Sequence, residues 1–211
     1  MPGANGDTLL LGHEGGFART LAQELGASLE LVPRGASDAE LEAWRAGVIA
    51  GPACGKVVVA LALEPAPGPA PLCDLDTTVW QQRAEAPFLA WCAALGAAAS
   101  RCADGGAIVA VAEAPAALDA AGFAPESGLA EAVGGLVRSV AHSEGARGVR
   151  ANAVTTPARV SLGPVPAPPP ALASFPGQLA REVAGAVRLL LSEEARGITG
   201  RTLPADCGRS W

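Results

Sequence analysis

Short aliphatic segments alternate with segments of helical periodicity along most of the chain. Strands joined through helices by short connections favour a parallel sheet with helices on both faces. We therefore predict an α/β fold, a doubly wound parallel sheet in a single domain over residues 1–211. The predicted strands are residues 9–11, 28–32, 57–63, 107–112, 149–154 and 199–204, and the fourth of them follows a predicted turn at Asp104-Gly105-Gly106. The predicted helices are residues 17–25, 37–46, 88–99, 127–142 and 178–191.

Charge and apolar content exclude several classes of protein. The formal net charge is -6 with a pI near 5.0, which argues against a nucleic-acid partner. The longest aliphatic runs are too short to span a membrane, and residues 1–7 lack the cationic start of a signal peptide. The five cysteines are scattered without a Cys-x-x-Cys pair, so we predict no metal site and a reducing, cytoplasmic location.

A glycine-rich turn follows the first predicted strand. It reads Gly12-His13-Glu14-Gly15-Gly16-Phe17-Ala18 and leads directly into the first helix. Such turns let a dinucleotide diphosphate approach the backbone and the helix N-terminus. The signal is weak by itself, because 26 of the 211 residues are glycine.

More specific runs follow in the second half of the chain. They are Ile108-Val109-Ala110-Val111, then Gly135-Leu136-Val137-Arg138-Ser139, Asn152-Ala153-Val154, Ile198-Thr199-Gly200 and Asp206-Cys207-Gly208. In this order and spacing they resemble the short-chain dehydrogenase/reductase family. The resemblance implies a Rossmann-type fold, chemistry with NAD(H) or NADP(H), and cytoplasmic dimers or tetramers.

The catalytic positions that the resemblance implies hold other residues here. Counted back from the Gly-Leu pair, the family's tyrosine falls on Glu126 and its lysine on Ala130. The family's serine, thirteen residues before the tyrosine, falls on Glu113, and its asparagine falls near Pro87. The chain has no tyrosine at all, and its one lysine lies on a different element. We therefore expect a degenerate member that lacks the proton-delivery residues.

The cofactor side of the resemblance is also incomplete. The family's three glycines correspond to Gly12, Gly16 and Ala18, which we take as weak or vestigial cofactor contacts. Between Gly26 and Val57 the chain is too short for two strand–helix units, so we expect six strands with one unit shortened. We predict that NADP(H) or NAD(H) binds only if this site is retained.

A non-catalytic subunit that supports an active short-chain reductase is the function we infer first. In the family two helices pair across a two-fold axis, and here these are residues 88–99 and 127–142. The glycine pair at 134–135 would suit a closely packed neighbour. We predict a hetero-oligomer with an active paralogue, or a homo-oligomer, through the apolar positions Phe88, Trp91, Leu95, Leu129, Val133, Leu136 and Val140.

Two alternatives stay open. The chain is an atypical NAD(P)H-dependent ketoreductase if Glu113 and Glu126 share an apolar cleft, where repulsion and burial would keep one carboxyl protonated as a donor. It is a dinucleotide or metabolite sensor if the proline-rich loop 157–176, at the family's substrate-lid position, closes over a ligand. The Ala/Gly/Pro/Arg bias suggests a GC-rich bacterial genome, in which such paired reductases often serve acyl-CoA or polyketide pathways.

Overall fold

A six-stranded parallel sheet runs through the middle of the protein. The computed structural model describes residues 8–63, 68–160 and 171–210. The strand order is β2-β1-β3-β4-β5-β6, and each neighbouring pair is parallel. The predicted α/β architecture with six strands is thereby confirmed. The strands are β1 (Thr8–Gly12), β2 (Ser28–Leu31), β3 (Cys54–Ala60), β4 (Cys102–Glu113), β5 (Arg150–Thr156) and β6 (Thr202–Pro204).

Helices cover both faces of the sheet. They are α1 (Gly16–Leu25), α2 (Asp38–Ile49), α3 (Thr77–Trp80), α4 (Ala86–Arg101), α5 (Ala124–Ser143) and α6 (Ala184–Leu191). Alternate residues of a strand point to opposite faces. Val57 and Val59 therefore join the apolar cluster under α2, α4 and α5, whereas Val58 joins the cluster under α1 and α6.

The stretch between α1 and β3 contains one strand and one helix. Only β2 and α2 lie between Gly26 and the start of β3, as the shortened unit predicted. Helix α2 begins with a capping box, in which Ser37 and Glu40 satisfy each other's backbone N–H groups. Because no further strand is formed in this stretch, β2 is the edge strand of the sheet and pairs only with β1.

Strand β4 is longer than the sequence predicted. The Asp104-Gly105-Gly106 segment, predicted as a turn before a strand at 107, lies inside β4. Gly105 has a φ of +75°, and the pairing with β3 shifts register between Cys54 and Lys56. The glycines thus form a bulge within the strand instead of a turn before it.

Sequence periodicity also missed a helical segment before α4. Asp76 caps α3, since its Oδ1 accepts a 2.8 Å hydrogen bond from the Val79 N–H. A π-helical turn, Gln81–Glu85, then joins α3 to α4. This segment is short and mostly polar, so it has no apolar stripe to mark it.

The described part of the predicted loop 157–176 is held by the C-terminal segment. The Leu172 N–H donates a 2.7 Å hydrogen bond to the carbonyl of Cys207. The guanidinium of Arg209 lies 5.7 Å from the centre of the Phe175 ring. Residues 161–170 of this loop lie outside the described residues, so the predicted lid is described only at its two ends.

Candidate functional site

The carboxyl ends of the strands form a crevice where the chain changes direction across the sheet. From β1 the chain passes to β2 on one side and then returns to β3 on the other side of β1. In open α/β sheets, ligands bind outside the carboxyl ends of the strands at this switch point. Gly12 ends β1, Ala60 ends β3 and Glu113 ends β4 at this edge.

Glu126 lies in the first turn of α5 and is bound by an arginine. Its carboxylate is fully buried, with 0% of the residue exposed. Arg83, on the π-helical turn before α4, donates from Nε and Nη2 to the two carboxylate oxygens, each at 2.7 Å. This bidentate contact is typical of an ionised carboxylate paired with a guanidinium. The positive end of the helix dipole favours the same negative charge.

Glu113 lies at the end of β4 and also has an arginine beside it. Its Oε2 accepts a 2.8 Å hydrogen bond from the Leu63 N–H, and its Oε1 lies 3.5 Å from Nε of Arg159. Arg159 follows β5, and its guanidinium also lies 5.7 Å from the centre of the Phe17 ring. Glu113 therefore fixes the segment after β3 and the segment after β5 at one point.

Glu113 and Glu126 each have an arginine beside them, and the hypothesis of mutual repulsion between the two acids did not include these contacts. Sequence patterns did not reveal Arg83 or Arg159, because each lies more than forty residues from its acid and neither belongs to a recognisable motif. The signal that could have indicated these arginines was the presence of two acidic residues at positions expected to be buried, since buried carboxylates require a counter-charge.

The positions matched to the family's lysine and asparagine carry no ionisable group. Ala130 is buried, with 7% exposed, one turn after Glu126 on α5. Pro87 lies in the first turn of α4 and lines a cavity beside the crevice. Neither side chain can donate or accept a proton.

The predicted cofactor residues divide into two roles. A Cβ on Gly12 would lie 2.6 Å from the Cβ of Ala18, so this pair sets how closely α1 approaches β1. Ala18 is fully buried and faces the sheet, not the crevice opening. Gly16 is exposed at the first position of α1, and a Cβ there would meet no atom within 4 Å. Gly16 is therefore the residue of the three that leaves room for a ligand.

Side chains around the glycine-rich turn link β1 to the segment after β3. Nδ1 of the buried His13 lies 3.1 Å from the carbonyl oxygen of Ala62, and because a carbonyl only accepts, Nδ1 carries the proton. Arg34, beyond β2, donates to the carbonyls of Ala62 and Glu14, each at 3.2 Å. The exposed carboxylate of Glu14 pairs with Arg19 at 2.8 Å, so its charge is compensated at the start of α1.

A cavity of about 510 Å³ adjoins the crevice on the β1 and β3 side. Its walls come from the segment after β2, the segment after β3 and the start of α4. Among the residues that the structure describes, the ionised side chains that line it are Arg34, Arg83 and Glu126, which together carry a charge of +1. Trp91, Leu41 and Pro87 give it apolar walls, a composition typical of sites for small organic ligands.

Four of the predicted interface residues belong to the protein's own core. At most 5% of each of these residues is exposed, and they pack between the sheet and helices α4 and α5: Trp91, Leu95, Leu129 and Val133. Contrary to the prediction, these four side chains are therefore not available to a partner. Their helical stripe faces the sheet because burying it there removes most apolar area from water. The remaining three, Phe88, Leu136 and Val140, are half-buried at the margin of that core.

The glycine pair on α5 has an explanation within the chain. A Cβ on Gly134 would lie 3.0 Å from Oγ1 of Thr202, so its absence lets β6 approach the helix. A Cβ on Gly135 would have a single neighbour within 4 Å, the Nη2 atom of Arg138 at 3.8 Å. Of the two glycines, only Gly135 therefore leaves space that another subunit could occupy.

Metal sites and membrane spans are both absent from the described ranges 8–63, 68–160 and 171–210. No group of three or more His, Cys, Asp or Glu side chains is arranged to hold a metal ion there. None of the helices in the same ranges combines the length and apolarity that crossing a bilayer requires.

Comparison with known proteins identifies the fold. No family model matches the sequence, and no curated protein matches it. Among solved structures, a short-chain dehydrogenase/reductase from Serratia marcescens is 20% identical over 100% of both chains, with a TM-score of 0.73. BdcA in complex with NADPH is 22% identical over 95% of this chain and 93% of that chain, with a TM-score of 0.63.

A third solved structure agrees with these two. A blue fluorescent protein from a metagenomic library, in complex with NADPH, is 21% identical over 96% of this chain and 98% of that chain, with a TM-score of 0.62. Likeness at these identities shows the fold. The chain has the fold of short-chain dehydrogenases/reductases.

The residues present fit one half of a nicotinamide dinucleotide and not the other. The open position at Gly16, the cation of Arg34 and the cavity leave room for an adenosine and its phosphates. On the other side of the crevice, Arg159 lies between Phe17 and Glu113, and Ala130, matched to the family's lysine, offers no cation for a ribose. A bound nucleotide would therefore be held at the β1 side of the crevice.

Proposed function

We propose that this chain is a non-catalytic member of the short-chain dehydrogenase/reductase family that assembles with an active reductase of the same fold and supports it. The observation that carries the proposal is the buried Arg83–Glu126 pair at the position of the family's catalytic tyrosine. The Arg159–Glu113 pair at the position of the family's serine supports it in the same way.

The proposal follows from the chemistry of carbonyl reduction. A reductase must deliver a proton to the alkoxide that forms as hydride arrives, and the donor must reach it within hydrogen-bond distance. Glu126 accepts from two guanidinium N–H groups and has no proton to give while it is ionised. Ala130 offers nothing in place of the family's lysine, and the sequence contains no tyrosine that could substitute.

The outer sides of α4 and α5 supply the surface for assembly. Leu89 on α4 is 50% exposed, and the half-buried Phe88, Leu136 and Val140 lie on the same two helices. A reductase that presents its own pair of helices would cover these side chains in the arrangement common in the family. We therefore expect the partner to be a subunit of the same fold, and not a peptide or a nucleic acid.

Co-purification from the native host tests this proposal. The tagged chain is expected to retain a reductase, and removing the chain is expected to lower that reductase's activity or stability. Leu89→Glu is expected to abolish the association, whereas Leu189→Glu, at 49% exposure on α6 across the sheet, is the matched control that leaves it intact. A chain that stays monomeric and retains no reductase would contradict the proposal.

The cavity favours a second candidate function, that of a sensor which holds a nucleotide without converting it. Its volume of about 510 Å³ and its positive lining suit a small anion with an apolar part. Saturable binding of a nucleotide, with no change in that nucleotide after prolonged incubation, is the expected result. Failure of every nucleotide to bind would remove this candidate and leave the assembly role unaffected.

A further inference from the structure

Arg159 reaches across the crevice from the β5 side to the β1 side. It follows the end of β5, yet its guanidinium lies 5.7 Å from the ring of Phe17 in the first turn of α1. Strands β3 and β4 lie between β5 and β1 in the sheet. The side chain, only 25% exposed, therefore lies over the carboxyl ends of the strands at the switch point.

A chain of contacts connects Arg159 to the wall of the cavity. Nε of Arg159 lies 3.5 Å from Glu113, and Glu113 accepts a 2.8 Å hydrogen bond from the Leu63 N–H. Leu63 lines the cavity, whereas Glu113 and Arg159 do not. Arg159 is therefore linked to the cavity wall through Glu113 and does not itself line the cavity.

We propose that Arg159 determines ligand specificity: it fills the half of the crevice that a nicotinamide ring would need, and so restricts this protein to a single nucleoside phosphate. The inference rests on the proposed function, because a chain without hydride transfer has no use for a nicotinamide. The guanidinium carries its own positive charge and is paired with Glu113, so a dinucleotide must break that pair and displace the side chain from Phe17.

The chemistry of the cavity fits a nucleoside phosphate. Arg34 is held in place by the carbonyls of Ala62 and Glu14 and provides a fixed positive charge for a phosphate. Pro87 and Leu41 line the cavity with apolar surface suited to a base. The volume of about 510 Å³ lies in the range of small-ligand sites.

Calorimetric titration of the full chain with ADP and with NADPH tests the inference. We expect the unaltered protein to bind ADP at least tenfold more tightly than NADPH. Arg159→Ala is expected to strengthen NADPH binding by about tenfold or more and to leave ADP binding unchanged. Arg196→Ala, which removes an exposed arginine between the end of α6 and the start of β6, at the opposite edge of the sheet, is the control expected to change neither affinity.

A second variant protects the test against misfolding of the first. Glu113→Gln keeps an acceptor for the Leu63 N–H but removes the charge that holds Arg159, so it should strengthen NADPH binding in the same direction. The inference is overturned if ADP does not bind, if NADPH binds the unaltered protein as tightly as ADP, or if neither variant favours NADPH. Oxidation of NADPH by the unaltered protein would instead contradict the proposed function, so the two failures are distinguishable.

Discussion

The guanidinium of Arg83 forms two hydrogen bonds of 2.7 Å with the carboxylate of Glu126, and the acid is completely buried. The pair joins the π-helical turn before α4 to the first turn of α5. It gives the site a fixed charge pair in place of a group that exchanges protons. The stability of this pair and the proposed loss of catalysis therefore have the same structural origin.

Replacing Arg83 by methionine should destabilise the protein strongly. Arg83→Met leaves the buried Glu126 carboxylate without its counter-charge, and breaking a buried pair in this way costs about 3 kcal/mol. Denaturant unfolding should show this as a lower midpoint with an unchanged slope.

The double variant Arg83→Met/Glu126→Leu is the control for that measurement. Removing both charges should recover most of the lost free energy of unfolding, since a buried pair is often replaceable by apolar side chains. Glu131→Gln, on an exposed position of the same helix, should change stability little. A cost below about 0.5 kcal/mol for Arg83→Met would mean that the pair is not formed in solution.

Two glycines of the first turn should respond oppositely to the same substitution. Gly12→Ala places a Cβ 2.6 Å from that of Ala18, and such overpacking costs about 2 kcal/mol. Gly16→Ala meets no atom within 4 Å in a helical position, so it should be neutral or slightly stabilising. Thermal unfolding of the two variants side by side measures the difference, and equal effects would refute the packing role assigned to Gly12.

The capping box of α2 should make part of the stability pH-dependent. Hydrogen bonds from the backbone N–H of Ser37, and then from its hydroxyl, lower the pKa of Glu40 below its usual value. A group with a lowered pKa in the folded state stabilises fully above its unfolded pKa and loses that contribution as the pH falls through the folded value.

The variant Glu40→Gln isolates this contribution. Relative to the unaltered protein it should be less stable at pH 7, and the difference should shrink as the solution is acidified past the pKa of the carboxyl. Parallel denaturant titrations over a pH series measure it. A difference that stays constant or grows on acidification would contradict the assigned hydrogen bonds.

The thiols should react with an alkylating reagent at clearly separate rates. Cys73 is exposed and should react first, whereas burial raises the pKa of the Cys92 thiol and lowers its thiolate fraction near neutral pH. Peptide mapping after timed treatment measures the rates. Cys73→Ser should remove the fast phase and Cys92→Ser should leave it, and fast labelling of Cys92 would show that α4 is not packed as described.

Much of the fold followed from the sequence because it depends on local patterns. The aliphatic runs of β1, β3, β4 and β5 and the capping box of α2 are each contained within a few residues. The bulge around Gly105 was mistaken for a turn, because the same glycines serve either structure and only the partner strand decides between them.

The sequence indicated two candidate residues of the site but not the contacts that they make. Glu113 and Glu126 were identified from spacing, yet their arginines come from segments 46 and 43 residues away and no local pattern marks them. The apolar stripe from Trp91 to Leu95 looks the same whether it faces a partner or the chain's own sheet. Such long-range pairings depend on how the elements pack and cannot be read from periodicity.

Transfer of deuterium from 4-deuterated NADPH is the measurement that tests the proposed loss of catalysis most directly. The purified chain, at stoichiometric concentration, is incubated with the labelled cofactor and a broad set of carbonyl compounds, and the products are analysed by mass spectrometry. We predict no labelled alcohol from this chain alone, and labelled alcohol once the partner reductase is added. Labelled product from the isolated chain, lost in Glu126→Gln, would contradict the loss of catalysis.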